Sequence, residues 1–210
     1  MRISSVNVSL AKVARHGRHE VLTGIFKEPV EGRVAVRGFN LAGDQQADPS
    51  CHGGPNKAVY AYAIEHYAHW ADRLGRSDLL PGQFGENLTT AGWLERDACL
   101  GDVVRIGGAL LRVAQARVPC FKLALKMGSA KFPDVFLESG RTGIYLAVVA
   151  EGDVGVGDEI TLVERGKGGV SIHDLWRLAY GGDEDPVLVR KTLEHDTLGP
   201  EWRKPLERAL

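Results

Sequence analysis

A chain of 210 residues, 44% hydrophobic and 25% charged, is long enough to bury its own core as one large domain or as a domain with a small appendage. Its 26 Lys and Arg against 27 Asp and Glu leave a net charge of −1, which excludes a global basic field for nucleic acid, so an anionic ligand must be met by local cations. The longest apolar runs fall far short of the roughly 20 residues a membrane helix needs.

Three cysteines, Cys51, Cys99 and Cys120, stand too far apart for a CxxC zinc site and are odd in number for a disulfide framework. The first ten residues carry no sustained apolar stretch, so no signal peptide is expected and a reducing cytoplasm is the natural compartment.

Taken in chain order, residues 1–165 read as mostly β with helical inserts. Short alternating runs recur at Ile3 to Val8, Arg33 to Val36, Val59 to Ala63, Val103 to Ile106, Leu110 to Ala114, Ile144 to Val149 and Ile160 to Val163. Glycine-rich turns separate many of them, which predicts a barrel or sandwich. His16 and His19 flank a hairpin tip. Ile64 to Leu74 reads as a helix stopped by Gly75, with His66 and His69 on a polar face. Further helices are expected from Pro119 or Cys120 and from near Pro133 to Gly140. Asp102 and Asp158 each follow a glycine and launch a strand, as turn residues do. After Arg165-Gly-Lys-Gly-Gly169 the character changes. Ser171, Asp185 and Gly199-Pro200 each open a short helix, giving a three-helix module over residues 170–210 that must borrow core from elsewhere.

Arg117-Val-Pro-Cys-Phe-Lys122 joins a strand to a helix. Pro119 suits the first helical position. Cys120 would then lie on the first turn between Arg117 and Lys122, conditions that favour a thiolate able to ligate a metal or attack an electrophile. A buried cysteine packed as a small hydrophobe is the other reading.

His52-Gly-Gly-Pro-Asn-Lys57 reads either as a loop whose backbone and lysine meet an oxyanion or as a tight turn before a strand. Phe84-Gly-Glu-Asn-Leu88 places Glu86 and Asn87 beside a glycine. Arg141-Thr-Gly143 offers a guanidinium suited to phosphate or carboxylate. No flavin, haem or iron–sulfur fingerprint is present.

Together these segments resemble the MOSC family in its YiiM-like branch, related to the C-terminal domain of molybdenum cofactor sulfurases. The matching pieces run in order: Gly43-Asp44 through Asp48, His52 to Lys57, Phe84 to Leu88, Leu100-Gly-Asp102, Pro119 to Lys122, Arg141 to Gly143 and Gly157-Asp158. The C-terminal helices resemble the small three-helix domain of that branch.

The resemblance implies a MOSC β-barrel over residues 1–165 that holds the molybdenum cofactor, with Cys120 as a metal ligand. It further implies reduction of N-hydroxylated compounds (hydroxylaminopurines, hydroxylamines, amidoximes) with electrons from a separate redox protein. Glu86 and His52 are the expected proton donors. Lys57, Asn87, Arg117, Lys122, Arg141, Thr142 and Arg37 are the expected cofactor contacts.

Cys51 is expected to be inert, and pyridoxal phosphate is not expected. The alternatives are a carrier of cofactor or sulfur, with a persulfide on Cys120, and a plain small-molecule-binding barrel. The helical module is available for homodimerisation or substrate capping, with Trp176 and Tyr180 as contacts or core residues.

Overall fold

The computed structural model describes residues 1–47 and 53–210, without the His16 side chain, so the expectations for Asp48, Cys51 and His52 lie outside the described residues. The strands are β1 (Arg2–Val8), β2 (Lys12–His16), β3 (His19–Thr23), β4 (Glu28–Pro29), β5 (Arg33–Arg37), β6 (Asn40–Leu41), β7 (Val59–Ala63), β8 (Leu88–Ala91), β9 (Val103–Ile106), β10 (Ala109–Ala116), β11 (Ile144–Ala150), β12 (Gly152–Gly155) and β13 (Ile160–Glu164). The helices are α1 (Glu65–Leu74), α2 (Phe121–Met127), α3 (Phe132–Glu138), α4 (Ile172–Ala179), α5 (Pro186–Leu193) and α6 (Pro200–Arg208).

The architecture is mixed α/β, built on one large sheet. Eight strands run in the order β13-β9-β10-β11-β7-β8-β1-β4. Neighbours are antiparallel except β7 and β8, which pair in parallel. Parallel strands need a crossover connection, and α1 lies in the segment that joins these two. Residues near the ends of the order also meet: Ile3 N donates to the Asp158 carbonyl and Ile160 N to that of Met1, both at 2.9 Å. A second sheet, β12-β5-β6, and the separate hairpin β2-β3 complete the strands. The hairpin places His16 and His19 at its tip, opposite each other.

Local chemistry sets the helix boundaries. Gly75 ends α1 in the left-handed conformation (φ 61°), which costs glycine no Cβ clash. Ser171 caps α4 in a reciprocal box: its hydroxyl accepts from Asp174 N at 3.0 Å while its own N–H donates to the Asp174 carboxylate. Asp185 caps α5 by accepting from Val187 N and Leu188 N. One boundary differs from expectation. Cys120 is itself the residue before α2, with extended backbone (φ −131°), so Pro119 stands outside the helix rather than at its first position.

The core has two parts. An aromatic cluster of Tyr60, Tyr62, Tyr67, Trp70, Phe84, Phe132 and Phe136 packs between α1, α3 and the sheet. A larger aliphatic cluster runs through the sheet and into the C-terminal helices, where Leu175, Leu178, Val189, Trp202 and Leu206 belong to the same buried unit as Val104, Leu111 and Leu146. The last forty residues therefore share the core of the sheet. His66 also departs from the polar face expected of it. It is buried, with Nε2 2.8 and 3.0 Å from the two Glu95 carboxylate oxygens.

Candidate functional site

Strand β10 ends at Ala116, and the chain turns through Arg117, Val118 and Pro119 to reach Cys120 before α2. This turn forms one wall of an open cavity of about 670 Å³. Thr23, Gly24, Ile25 and Lys27 at the end of the β2-β3 hairpin form a second wall, Asp44 to Ala47 a third, and Lys57, Ala58 and Tyr60 with Asn87 and Tyr145 the floor. The half-exposed Cys120 thiol shares the cavity with Lys27, Lys57, Arg117 and Lys122. Four cations thus converge on one concavity in a chain whose net charge is −1.

These cations are held by different means. Arg117 is buried; its guanidinium donates to the Phe84 carbonyl and lies 4.8 Å from the centre of the Tyr60 ring, a contact that retains positive charge in a dry setting. Lys27 donates to Asp44, and burial, only partly offset by that carboxylate, lowers the ammonium pKa below its ordinary value. Lys57 pairs with Glu201 of α6 at 2.7 Å. Beneath the cavity Lys126 donates to the Ile25 and Gly82 carbonyls, and desolvation pushes its pKa down to about 8.

Asn87 works as a bracket. Its amide donates to Asp44 at 2.9 Å and its carbonyl accepts from Tyr60 N at 3.1 Å, locking strand β7 to the loop after β6. Asp44 also accepts from Ser9 N at 2.9 Å. A buried carboxylate with this many donors holds a fixed geometry.

The residues singled out in the sequence divide into those the fold brings together and those it does not. Cys120, Lys57, Asn87, Arg117 and Lys122 all line the cavity. Glu86 is adjacent in sequence but fully buried. Its carboxylate accepts from Tyr67 Oη, Gly82 N at 2.7 Å, Phe84 N at 3.0 Å and Thr89 Oγ1 at 3.0 Å, which fixes the turn that presents Asn87.

Thr142 is fully buried, and its carbonyl accepts from Tyr60 Oη at 2.8 Å, one layer behind the floor. Gly143 next to it has φ 70°, and a Cβ there would lie 2.7 Å from the Ala61 carbonyl, so the motif glycine is sterically required. Arg141 opens onto a different cavity. Arg37 is on the surface, near Glu151 and Asp153 at 3.7 and 3.3 Å.

Sequence reasoning did not find Lys27, Asp44 as a bracket, Tyr60 or Tyr145. Lys27 and Asp44 sit in loops with no periodicity, and only the fold shows that they meet.

The residues present fit a phosphate-bearing, sulfur-ligated cofactor. Several cations suit a phosphate, and the Cys120 thiol beside them suits a soft metal. No group of three His, Cys, Asp or Glu side chains able to hold a metal occurs among the described residues. Among the described residues no helix is long and apolar enough to cross a membrane.

Comparison with known proteins agrees with the geometry. The family model of the MOSC domain matches residues 48–161. YflK of Bacillus subtilis is 37% identical over 96% of this chain and 90% of its own. A Gibberella moniliformis protein named as a reductase is 34% identical over 70% of this chain, which spans 26% of that longer protein. The crystal structure of YiiM from Geobacillus stearothermophilus superposes with a TM-score of 0.79 at 34% identity, covering 100% of this chain and 98% of its own. The cavity turn lies inside the matched segment, and both full-length relatives extend over the C-terminal helices: the chain belongs to the MOSC domain family.

Proposed function

We propose that this protein binds the molybdenum cofactor in the Cys120 cavity and reduces N-hydroxylated compounds with electrons from a separate redox protein. The observation that carries this reading is the thiol of Cys120 in one concavity with Lys27, Lys57, Arg117 and Lys122. The MOSC assignment and the reductase-named relative support a cofactor-dependent oxidoreductase.

In this reading residues 1–165 are the cofactor-holding barrel, residues 170–210 its three-helix module, and the compartment a reducing cytoplasm. When bound, the cofactor supplies the two-electron chemistry that cleaves the N–O bond. The chain supplies the rest. Cys120 is the thiolate ligand. Lys57 and Lys122 meet the phosphate and exclude competing neutral ligands. Arg117, anchored to Phe84 and Tyr60, presents charge without a reorganisation cost. Asn87 holds the loop that carries Asp44. Two-electron cleavage of the N–O bond with release of water takes up two protons. The Glu86 carboxylate is committed to four donors inside the wall, and His52, the other donor that the family resemblance implies, is assigned one of the two.

Metal analysis tests the reading. Protein made in a host that synthesises molybdopterin should carry about one molybdenum per chain, and Cys120→Ser should lose it while keeping the thermal midpoint of the cofactor-free wild type. The loaded protein, reduced by dithionite through a mediator, should turn over a hydroxylaminopurine. Absence of molybdenum after such expression would sink the reading; a loaded protein without turnover would favour a carrier of cofactor or sulfur.

A further inference from the structure

A second cavity, of about 820 Å³, opens between α1, the loop after β8, the Ser139–Arg141 turn and the start of α4. Its floor is a closed pair. His66 and Glu95 are both buried, and Glu95 accepts from both His66 Nε2 and Gly143 N, the latter at 2.8 Å. The other carboxylate in the wall, Glu65, accepts from Gly92 N at 2.6 Å. Both acidic groups therefore have backbone or imidazole donors of their own.

The basic groups do not have acidic partners. Neither Arg96 nor Arg141 has a carboxylate within ion-pair distance among the described residues; Arg141 reaches only the Ser139 carbonyl, at 3.2 Å. His69 lines the same cavity, and its Nε2 is shielded from solvent without a hydrogen-bond partner in the described structure. Burial, with Arg141 and Arg73 nearby, lowers the His69 pKa below its ordinary value; a neutral imidazole still has one N–H to donate. His173, from α4, closes the rim.

A shielded ring nitrogen without a partner is costly to leave so, and the two guanidiniums that line the same cavity, Arg96 and Arg141, prefer a planar, bidentate acceptor. We propose that this cavity binds the oxyanion group of a small metabolite, through Arg96, Arg141 and His69. The site is separate from the Cys120 cavity and does not depend on the reading of that cavity. The two lie on opposite sides of one turn: Tyr60 Oη donates to the Thr142 carbonyl, and Gly143 N donates to Glu95. Arg141, which the family resemblance places among cofactor contacts, is here reassigned to the second ligand.

The test is a titration of the full-length protein followed by the histidine ring signals in NMR, with inorganic phosphate in one arm and malonate in the other. Saturable shifts of His69 and His173 are expected in at least one arm, and the stronger arm identifies phosphate or carboxylate as the preferred source. Arg96→Leu with Arg141→Leu should weaken binding by about tenfold or more, while Lys122→Met, in the first cavity, should leave it unchanged. Arg141→Lys should recover part of the loss, and its melting temperature separates lost binding from lost folding. Molybdenum content should not change in Arg141→Leu. The proposal is overturned by the lack of saturable His69 shifts, by His69 shifts that survive the double variant, or by His69 shifts lost in Lys122→Met.

Discussion

Glu95 shows how burial and partners compete at one atom group. Burial alone would raise its pKa, but the His66 hydrogen bond and charge and the Gly143 N–H hold it below its ordinary value of 4.5. A carboxylate whose folded pKa is depressed binds fewer protons folded than unfolded near that value. Its stabilising contribution is complete above the ordinary value and disappears as pH falls through the lower folded one. Urea unfolding between pH 7 and pH 3 should therefore show wild type losing stability towards acid faster than Glu95→Gln. The variant should be destabilised by about 1–3 kcal/mol at pH 7, since it loses a charged acceptor that two buried donors require. Parallel curves for the two proteins would refute the account. Glu86 is held by geometry: four hydrogen-bond donors make it a fixture of the Phe84–Asn87 turn.

Among the elements, the segment entering α6 ties the C-terminal helices to the cavity. Thr197 Oγ1 donates to the Ala114 carbonyl at 2.8 Å, Gly199 N to the Gln115 side chain at 2.8 Å, and Trp202 Nε1 to the Ala116 carbonyl at 2.9 Å. These three bonds run along the end of β10, immediately before Arg117. Trp202→Ala should cost about 3–5 kcal/mol, from lost burial and an unpaired carbonyl. It should also speed alkylation of Cys120, because the turn that carries the thiol loses its backing. A cost below about 1 kcal/mol in denaturant unfolding, with an unchanged alkylation rate, would separate α6 from the site.

This coupling was only partly legible in the sequence. Period-two runs located most strands of the large sheet, and Ser171, Asp185 and Gly199 marked three helix starts, because these signals are local. The same locality hid what the fold adds. Nothing near His66 announces Glu95, 29 residues on. Strand β8 is only four residues long and pairs in parallel. Lys27 reaches Asp44 from a loop without periodicity. The cavity residues that the motifs did reveal, Lys57, Asn87, Arg117, Cys120 and Lys122, lie within three residues of a glycine or proline in short motifs, where backbone requirements leave a mark, whereas the partner that Lys27 finds in Asp44 is 17 residues away.

For the molecule as a whole, the distribution of charge matters more than its sum. A net charge of −1 gives no long-range attraction for anions, yet Lys27, Lys57, Arg117 and Lys122 share one concavity whose walls include the buried Tyr60. Low-dielectric walls focus such a field at the mouth. Beyond about 10 Å, salt at 0.1 M screens it, whereas contacts made inside the cavity are screened far less. An anionic ligand should therefore arrive more slowly as salt rises but leave at nearly the same rate. Stopped-flow binding of a small fluorescent phosphate monoester, at low and then at raised sodium chloride, should show the association rate falling severalfold with little change in dissociation. Lys122→Met should flatten that dependence, because it removes a buried cation from the cavity itself. Association that ignores salt in both proteins would mean that Asp44 and Glu201 cancel the cluster, leaving shape and the Cys120 thiol to recruit the ligand.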